Sequence, residues 1–241
     1  MKTAEQSKKI GIIGAMEIEI RQLVAKMSDR QILTACGRTF YAGILCGKEV
    51  VVVRSGVGKV NSATCAQMLI DRFEITHLIN TGIAGGVGEN LHVGDLVIGS
   101  ALCQHDFEIE VFGYAKGNLG IGPKDRPSFF YSDEEMVKTM KEVAAEEIGA
   151  GAVHEGIIAS GDRFVATGET KLAIRKEFDA LAVEMEGGAI AHTAFLAEIP
   201  FVVLRAISDL ADGTASESFE QFEEQTANLS ATVLEKFLTV F

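Results

Sequence analysis

The sequence has little positive charge. Its 241 residues include 22 Lys and Arg against 34 Asp and Glu, which gives a formal net charge of −12 and an isoelectric point near 4.9. Such a chain lacks the basic surface that binding to nucleic acid or to an anionic membrane requires. The negative net charge does not exclude binding of a small, uncharged ligand.

The sequence also lacks a long hydrophobic run and any cysteine motif. No apolar stretch approaches the ~20 residues that cross a bilayer, and residues 1–9 lack the apolar centre of a signal peptide. The four cysteines, Cys36, Cys46, Cys65 and Cys103, form no C-x-x-C and no Cys/His spacing typical of zinc. We therefore expect buried, reduced thiols, no metal site and a cytoplasmic location.

Apolar runs of strand length alternate with longer amphipathic segments along the chain. Hydrophobic residues make up 47% of the sequence and charged residues 23%, which is typical of a globular protein with a sizeable core. We predict a polar extension over 1–8 and one domain over 9–241. The predicted strands are 10–13, 39–45, 49–54, 77–80, 95–100, 156–160, 181–183 and 201–207, and the predicted helices are 17–27, 59–73, one from 132, and 216–237.

Local signals refine this outline. Cys46-Gly47-Lys48 predicts a hairpin turn, residues 80–88 a Gly-rich turn, and 113–128 a long, mobile loop. Ser132 is the predicted N-cap of a helix, with Glu135 completing a capping box. The alternation predicts a single α/β domain with a central mixed, largely parallel β-sheet flanked by helices. Ligands bind such sheets at the carboxyl ends of strands.

Polar residues follow the first strand and the Gly-rich segment. Glu17 and Glu19 come just after the first strand, in a turn that lacks the G-x-G-x-x-G of dinucleotide folds. Read alone, both acids are better explained as surface residues whose charge is favourable at a helix N-terminus. The Gly-rich stretch has no G-K-[ST], so a nucleoside triphosphate is unsupported.

Two further strands end in charged residues. Glu184 and Glu186 lie between an apolar strand and a helix of small residues, where a carboxylate needs hydrogen-bond donors such as ribose hydroxyls, a salt bridge or a helix end. An almost wholly apolar strand delivers Arg205, Ser208 and Asp209 at its end, which suits a site. The alternative is that Asp209 caps the next turn with Arg205 as its partner.

An aromatic residue follows another strand. Phe164 could stack on a flat ring, and the backbone of Val165 offers a donor and an acceptor to the ring edge. A core phenylalanine is the common alternative.

These motifs together resemble the bacterial 5′-methylthioadenosine/S-adenosylhomocysteine nucleosidases, a family of the purine-nucleoside-phosphorylase-like superfamily. The resemblance runs in order from about Lys9 to the C-terminus. The matching segments are Ile10–Glu19, Ser55–Val60, Asn80–Gly86, Ser160–Asp162, Val183–Glu186 and Arg205–Asp209.

The resemblance implies a role for each polar residue. Glu19 matches the carboxylate that activates the attacking water, and Asp209 matches the acid that protonates N7 of adenine. Glu186 matches the residue that holds the ribose hydroxyls, with Met185 packing on the sugar. Arg205 matches the residue that fixes the water and the catalytic carboxylate, and Ser208 is a further substrate contact.

The resemblance also implies the apolar walls of the site and a partner. Phe164 matches the ring that stacks on adenine, and the Val165 main chain matches the group that contacts the purine edge. The walls near the sugar and its 5′-thioether match Met16, Val57 and Phe219. A neighbouring subunit completes the 5′ pocket in the family, which implies a homodimer; the matching positions are Ile109, Phe112 and Tyr114.

The implied chemistry is self-consistent. Glycosidic cleavage through an oxocarbenium-like state needs a protonated leaving group, a stabilised cation and a poised nucleophile, and three carboxylates supply these without a metal or organic cofactor. One residue departs from the family: Ile83 stands where most of its hydrolases have Ser, which affects substrate range. The related phosphorylases carry basic and hydroxyl residues where this chain has Met16 and Glu17, so water is the expected nucleophile.

Three alternatives remain open at this point. The first two are a nucleoside phosphorylase and a hydrolase of 6-amino-6-deoxyfutalosine. The third is a purine-binding module without catalysis, against which the retained acid and base argue. The substrate expected is a small nucleoside, with no nucleic acid and no membrane.

Overall fold

A computed structural model describes residues 8–212 and 215–241. Most of the predicted N-terminal extension therefore lies outside the described residues. The strands are β1 (Lys9–Gly14), β2 (Ser28–Ala35), β3 (Arg38–Leu45), β4 (Lys48–Arg54), β5 (His77–Gly86), β6 (Leu96–Gln104), β7 (Phe130–Tyr131), β8 (Val153–Ser160), β9 (Ala180–Glu184) and β10 (Phe201–Asp209). The α-helices are α1 (Glu17–Lys26), α2 (Lys59–Phe73), α3 (Glu134–Ile148), α4 (Gly168–Phe178), α5 (Gly187–Leu196) and α6 (Ala215–Val240), and two 3₁₀ turns cover Glu110–Phe112 and Ala150–Ala152.

The strands form one mixed sheet that closes on itself at one end. Strand β10 pairs with β6 and also with β5, so β10, β6, β8, β9 and β5 form a ring, from which β1, β4, β3 and β2 extend in that order. Strand β5 is parallel to β1 and β10 and antiparallel to β9. The predicted fold class, one α/β domain with a mixed sheet flanked by helices, is confirmed.

Apolar strands and the last helix build the core. All nine residues of β10 are buried, as expected for a strand covered on both faces. The amphipathic helix α6 packs on β10 and β5 and buries Leu234, Phe237 and Leu238. None of the helices in the described part of the chain is long and apolar enough to span a membrane.

The predicted Gly-rich turn after residue 80 is wrong, because β5 continues through it to Gly86. The glycines serve close packing within the strand. A Cβ at Gly82 would overlap both the Glu19 carboxylate and the Arg205 guanidinium. The edge strand β2 was not predicted, since most of its residues are exposed and it lacks a buried apolar face.

The predicted N-cap of α3 is one residue early. The Asp133 carboxylate accepts the Met136 N–H at 2.9 Å and is the N-cap, so Glu134 is the first helical residue. The Ser132 N–H instead donates to the Ser100 carbonyl at 3.0 Å. Ser132 thus continues the pairing of β7 with β6, and the helix begins one residue later than predicted.

The expected burial of all four cysteines holds only for Cys65 and Cys103. Cys36 and Cys46 are exposed, because each begins a two-residue hairpin turn, with φ of 49° and 51°. The glycine after each also has positive φ, the pattern of the turns that suit twisted hairpins. The predicted hairpin at Cys46 is therefore confirmed, and a second one precedes it.

The predicted loop over 113–128 has no helix or strand. The buried Asn118 side chain ties it together by donating to the carbonyls of Pro123 and Arg126, both at 2.7 Å. The Ser128 hydroxyl donates to the Ile121 carbonyl at 2.8 Å. The loop is thus closed on itself by side-chain hydrogen bonds, as in a compact Ω-loop.

Candidate active site

A cavity of about 360 Å³ lies at the carboxyl ends of β1, β5, β9 and β10. Its size falls in the range of pockets for small molecules. Eleven of the twelve predicted catalytic and substrate-binding residues line it: Met16, Glu19, Val57, Ile83, Phe164, Val165, Met185, Glu186, Ser208, Asp209 and Phe219. The twelfth, Arg205, is fully buried in β10 and pairs with carboxylates of the cavity wall.

Glu19 is fixed by backbone amides. It occupies the third position of α1 and folds back, so that Oε2 accepts the N–H of Ala15 at 2.6 Å and of Met16 at 2.9 Å. Its Oε1 accepts the N–H of Ile83 on β5 at 3.0 Å. Burial raises the pKa of Glu19, while Arg205 and these amides oppose the rise. The carboxylate is both helix cap and cavity wall, so the two explanations of this acid are compatible.

Arg205 lies at the centre of a buried charge cluster. Its Nη2 donates to Asn80 Oδ1 at 2.6 Å and to the Glu184 carboxylate. Its Nη1 lies 3.9 Å from Glu19 Oε1, and its Nη2 lies 3.7 Å from Glu186 Oε2. Burial acts to lower the pKa of Arg205, but the three carboxylates raise it above its ordinary value. The guanidinium is therefore a permanent cation among three acids.

Glu184 is the cluster residue that was not predicted as part of the site. Its Oε2 accepts the N–H groups of Glu186 at 2.9 Å and Gly187 at 2.6 Å, and its Oε1 accepts the Ser160 hydroxyl. It thus joins Arg205 to the start of α5. The sequence signal was the pair of acids Glu184 and Glu186, two residues apart, but the resemblance implied a role only for Glu186.

Glu186 lies between α5 and the start of α2. Its Oε1 accepts the Gly58 N–H at 2.9 Å, and Gly58 has a φ of 97° that an L-residue rarely adopts. Burial and the neighbouring Glu184 raise the pKa of Glu186 to about 7, against Arg205 and the Gly58 amide. This carboxylate therefore holds a proton more tightly than an exposed glutamate does.

Asp209 is the last residue of β10 and lines the cavity. The Ser208 hydroxyl donates to Oδ2 and the Ala211 N–H donates to Oδ1, both at 2.9 Å. Burial raises its pKa, although these two donors lower it in part. Asp209 does receive the turn hydrogen bond expected of a local cap, but the partner of Arg205 is Glu184 and not Asp209.

Aromatic and apolar side chains form the remaining walls. The rings of Phe164 and Phe219 meet edge to face, with centroids 5.8 Å apart. Phe164 is 45% exposed, so it is a surface of the cavity and not a core phenylalanine. Ile83 fills its place on β5 with an apolar side chain that is 6% exposed.

The three residues predicted to serve a partner subunit lie outside this cavity. Phe112 is the last residue of the 3₁₀ turn over Glu110–Phe112 and is 72% exposed; Ile109 precedes this turn and Tyr114 follows it. Among the described residues, no group of His, Cys, Asp and Glu is arranged to hold a metal ion.

The carboxyl groups of the cavity can donate and accept protons. Asp209 has a raised pKa and can carry a proton in the cavity, which Phe164 and Phe219 also line. Glu19 in the same cavity is held in place by three backbone amides, and a carboxylate so placed can accept a proton as a general base. Glu186 lies in the same wall and adds negative charge where a cation could develop.

Comparison with known proteins agrees with this geometry. The family model of the Phosphorylase superfamily matches residues 9–239. The chain is 40% identical to the 5′-methylthioadenosine/S-adenosylhomocysteine nucleosidase of Staphylococcus haemolyticus, over 96% of this chain and 99% of that one.

Two solved structures extend the comparison. The nucleosidase of the same name from Neisseria meningitidis, in complex with methylthio-immucillin-A, is 41% identical with a TM-score of 0.92 and covers 97% of this chain and 100% of its own. A futalosine hydrolase mutant of Helicobacter pylori is 34% identical with a TM-score of 0.91, covering 97% and 100%.

Proposed function

From the premise that the chain belongs to the Phosphorylase superfamily, and within it to the 5′-methylthioadenosine/S-adenosylhomocysteine nucleosidases, we propose how its residues perform the reaction. The protein is a nucleosidase that hydrolyses the N-glycosidic bond of both nucleosides. Adenine leaves, and the water oxygen bonds to C1′ of the thioribose. One observation supports the assignment below: the same cavity is lined by Asp209, an acid whose pKa is raised, and by Glu19, a carboxylate fixed by backbone amides.

Asp209 is the proposed donor of a proton to N7 of adenine. Protonation turns the purine into a better leaving group, and it requires an acid that still holds its proton near neutral pH. The raised pKa of Asp209 supports this role, and Ser208 orients its carboxyl group. Phe164 would stack on the base, and the main chain of Val165 would contact its edge.

Glu186 and Glu19 are the proposed groups on the sugar side. Glu186 binds the ribose hydroxyls, and its ionised form stabilises the oxocarbenium-like state. Glu19 removes a proton from the attacking water, with Arg205 holding this carboxylate in place. Met185 packs on the sugar, while Met16, Val57 and Phe219 form the walls around the 5′-thioether.

The nucleophile is tested by assaying methylthioadenosine with and without phosphate. We expect adenine and free methylthioribose at equal rates in both, and strict dependence on phosphate would contradict the proposal. Asp209→Asn keeps the acceptor for the Ala211 amide but has no proton to give, so adenine release should fall by about 10²–10⁴-fold. Asp71→Asn, an exposed acid outside the cavity, is the matched control.

A second candidate substrate is aminofutalosine, which the similarity to the Helicobacter pylori futalosine hydrolase mutant favours. The apolar Ile83 lies in the cavity wall and changes the contacts open to the ribose. Comparing kcat/KM for methylthioadenosine, S-adenosylhomocysteine, 5′-deoxyadenosine and aminofutalosine will rank the substrates.

A homodimer is the proposed assembly, with Ile109, Phe112 and Tyr114 of each copy completing the 5′ pocket of the other. Exposed apolar side chains support it: Val111 is 87% exposed, Phe112 72% and Val60 76%. Sedimentation should give twice the chain mass, and Phe112→Ser should raise KM for methylthioadenosine. A monomer with unaltered KM would contradict this arrangement. We also place the protein in the cytoplasm, acting in methionine salvage, a location that cell fractionation tests.

A further inference from the structure

Among the residues that the structure describes, three charged side chains connect two segments of the cavity wall without lining the cavity themselves. Lys59 is the first residue of α2 and comes two residues after Val57. Asp162 lies in the turn between β8 and Phe164, and Asp106 follows the end of β6. Val57 and Phe164 belong to the cavity wall, so contacts among Lys59, Asp106 and Asp162 act on both segments. We call these three residues the clamp.

Asp106 holds the other two residues of the clamp. Its Oδ1 accepts a hydrogen bond from Lys59 Nζ at 2.5 Å, and its Oδ2 accepts the Asp162 N–H at 2.8 Å. The side chains of Lys59 and Asp106 are 17% and 27% exposed, so this ion pair is screened less than one in open solvent. Burial acts to raise the pKa of Asp106, but the hydrogen bonds from Lys59 and the Asp162 amide lower it overall. Asp106 is therefore an anion at neutral pH and keeps both contacts.

The Asp162 side chain closes the clamp into a ring at the start of α2. Its Oδ1 accepts the Lys59 N–H at 2.8 Å, and a Cβ on Gly58 would lie 3.0 Å from the same oxygen. The first N–H groups of a helix have no partner within the helix, and the N-cap of α2, Gly58, has no side chain to supply one. A residue 103 positions away in the sequence therefore takes the place of a local cap.

The ring holds in place the amide that binds Glu186. The Gly58 N–H donates to Glu186 Oε1 at 2.9 Å. The charged groups that face Glu186 are Glu184 at the end of β9, Arg205 on β10 and Glu19 on α1. The nearest contact of Arg205 with Glu186 Oε2 is 3.7 Å, which is longer than a hydrogen bond. The Gly58 amide is therefore the contact that fixes the direction of this carboxylate.

On the basis of the proposed function, in which Glu186 binds the ribose hydroxyls, we propose that Lys59, Asp106 and Asp162 are positioning residues for the reaction. The clamp holds the Gly58 amide against Glu186 and so keeps this carboxylate aimed at the ribose. It acts through the start of α2 and not by contact with the nucleoside. Such support matters because a displacement of about 1 Å in a catalytic group can lower the rate by about 100-fold.

The first test measures the pKa of Glu186 in the full-length protein without substrate. NMR of isotope-labelled glutamate carboxyl groups follows the titration, and the spectrum of Glu186→Gln assigns the signal. In the parent, burial and Glu184 raise this pKa, and the Gly58 hydrogen bond opposes the rise. Asp106→Asn should weaken that hydrogen bond, so the pKa of Glu186 should rise further. Loss of the negative charge of Asp106 would by itself lower the pKa, so a fall or no change would overturn the proposal.

The second test compares kcat/KM for methylthioadenosine with kcat/KM for its 2′,3′-dideoxy analogue, which has no ribose hydroxyl for Glu186 to bind. Asp106→Asn and Lys59→Met should each lower kcat/KM for methylthioadenosine by about tenfold, as expected when one hydrogen bond to a charged group is weakened. For the analogue the loss should be less than about threefold, because the contact that the clamp supports is already missing. Equal losses with both nucleosides would contradict a role through Glu186.

Two sets of variants serve as controls. Lys141→Met breaks a comparable ion pair outside the cavity, in which Lys141 Nζ lies 2.9 Å from Glu155, and it should leave both kcat/KM values unchanged. Asp162→Asn keeps the Oδ1 acceptor for the Lys59 amide, whereas Asp162→Ala removes it. The Asn variant should therefore be the more active of the two, and equal activities would count against the ring.

The two tests also separate the clamp from the proposed function. A wild-type protein that does not hydrolyse methylthioadenosine would overturn the proposed function itself. The pKa of Glu186 is measured without substrate, so it would still show whether the clamp holds this carboxylate.

Discussion

Replacing Glu186 by Gln tests whether the negative charge of this buried residue lowers the free energy of unfolding. The side chain is 4% exposed, and its carboxylate lies near Glu184, which repels it, and 3.7 Å from Arg205, which attracts it. The variant keeps an oxygen that can accept the Gly58 N–H, bonded at 2.9 Å in the parent. The substitution therefore removes the charge and little else.

The magnitude follows from the pKa. Burial and Glu184 raise the pKa of Glu186 from 4.5 to about 7, so the folded protein holds this proton more tightly than the unfolded chain does. The free energy of unfolding then falls as the pH rises between these two values and is lowest above 7. At 1.36 kcal/mol per pKa unit, the charge costs about 3 kcal/mol at pH 8. We expect Glu186→Gln to be more stable than the parent by about that amount.

Urea unfolding at pH 8 and pH 5.5 measures this difference. The stability gained should fall to less than half at the lower pH, and at pH 8 the melting temperature should rise by about 6 °C. Glu177→Gln, an exposed acid on α4, controls for the loss of one negative charge. A variant as stable as the parent, or less stable, at pH 8 would refute the reasoning, because it would mean that attraction by Arg205 outweighs burial and repulsion. The same variant should hydrolyse methylthioadenosine more slowly, a trade of activity for stability.

Two further predictions follow from close packing and from burial. Gly82→Ala places a methyl group against Glu19 and Arg205 and should lower kcat/KM by about 100-fold or more. Gly151→Ala is the control, because Gly151 has open space around it and its replacement should leave kcat/KM unchanged. Circular dichroism of both variants shows whether the fold is kept. In thiol titration of the native protein, the two cysteines of the hairpin turns should react and the two buried ones should not, since burial raises the pKa of Cys65 to about 12. Rapid reaction of all four thiols without denaturant would contradict the packing described for the core.

Much of the architecture could be predicted from the sequence because apolar periodicity is a strong signal. The nine buried residues of β10 and the amphipathic α6 stand out in any window. Strand β2 gave no such signal, since it lies at the sheet edge and most of its side chains face solvent. The N-cap of α3 was displaced by one residue because strand pairing, not helix capping, decides where Ser132 lies.

The candidate site was predictable to the extent that its residues end strands. Asp209 ends β10, while Glu19 and Glu186 lie shortly after the ends of β1 and β9. The structure brings all three to one cavity, with Arg205 from the middle of β10 beside its wall. Glu184 was missed because its importance comes from contacts distant in sequence, above all with Arg205, 21 residues away.

Strand β5 pairs with three neighbours, β1, β9 and β10, and it carries the Ile83 amide that holds Glu19. Hydrogen bonds in a strand so placed open only when the whole domain unfolds. Amide protons of residues 79–85 should therefore exchange with deuterium at the rate set by global unfolding, without a faster local route. The Glu19 carboxylate is then held in place as long as the domain stays folded, so heat should abolish turnover and tertiary structure together.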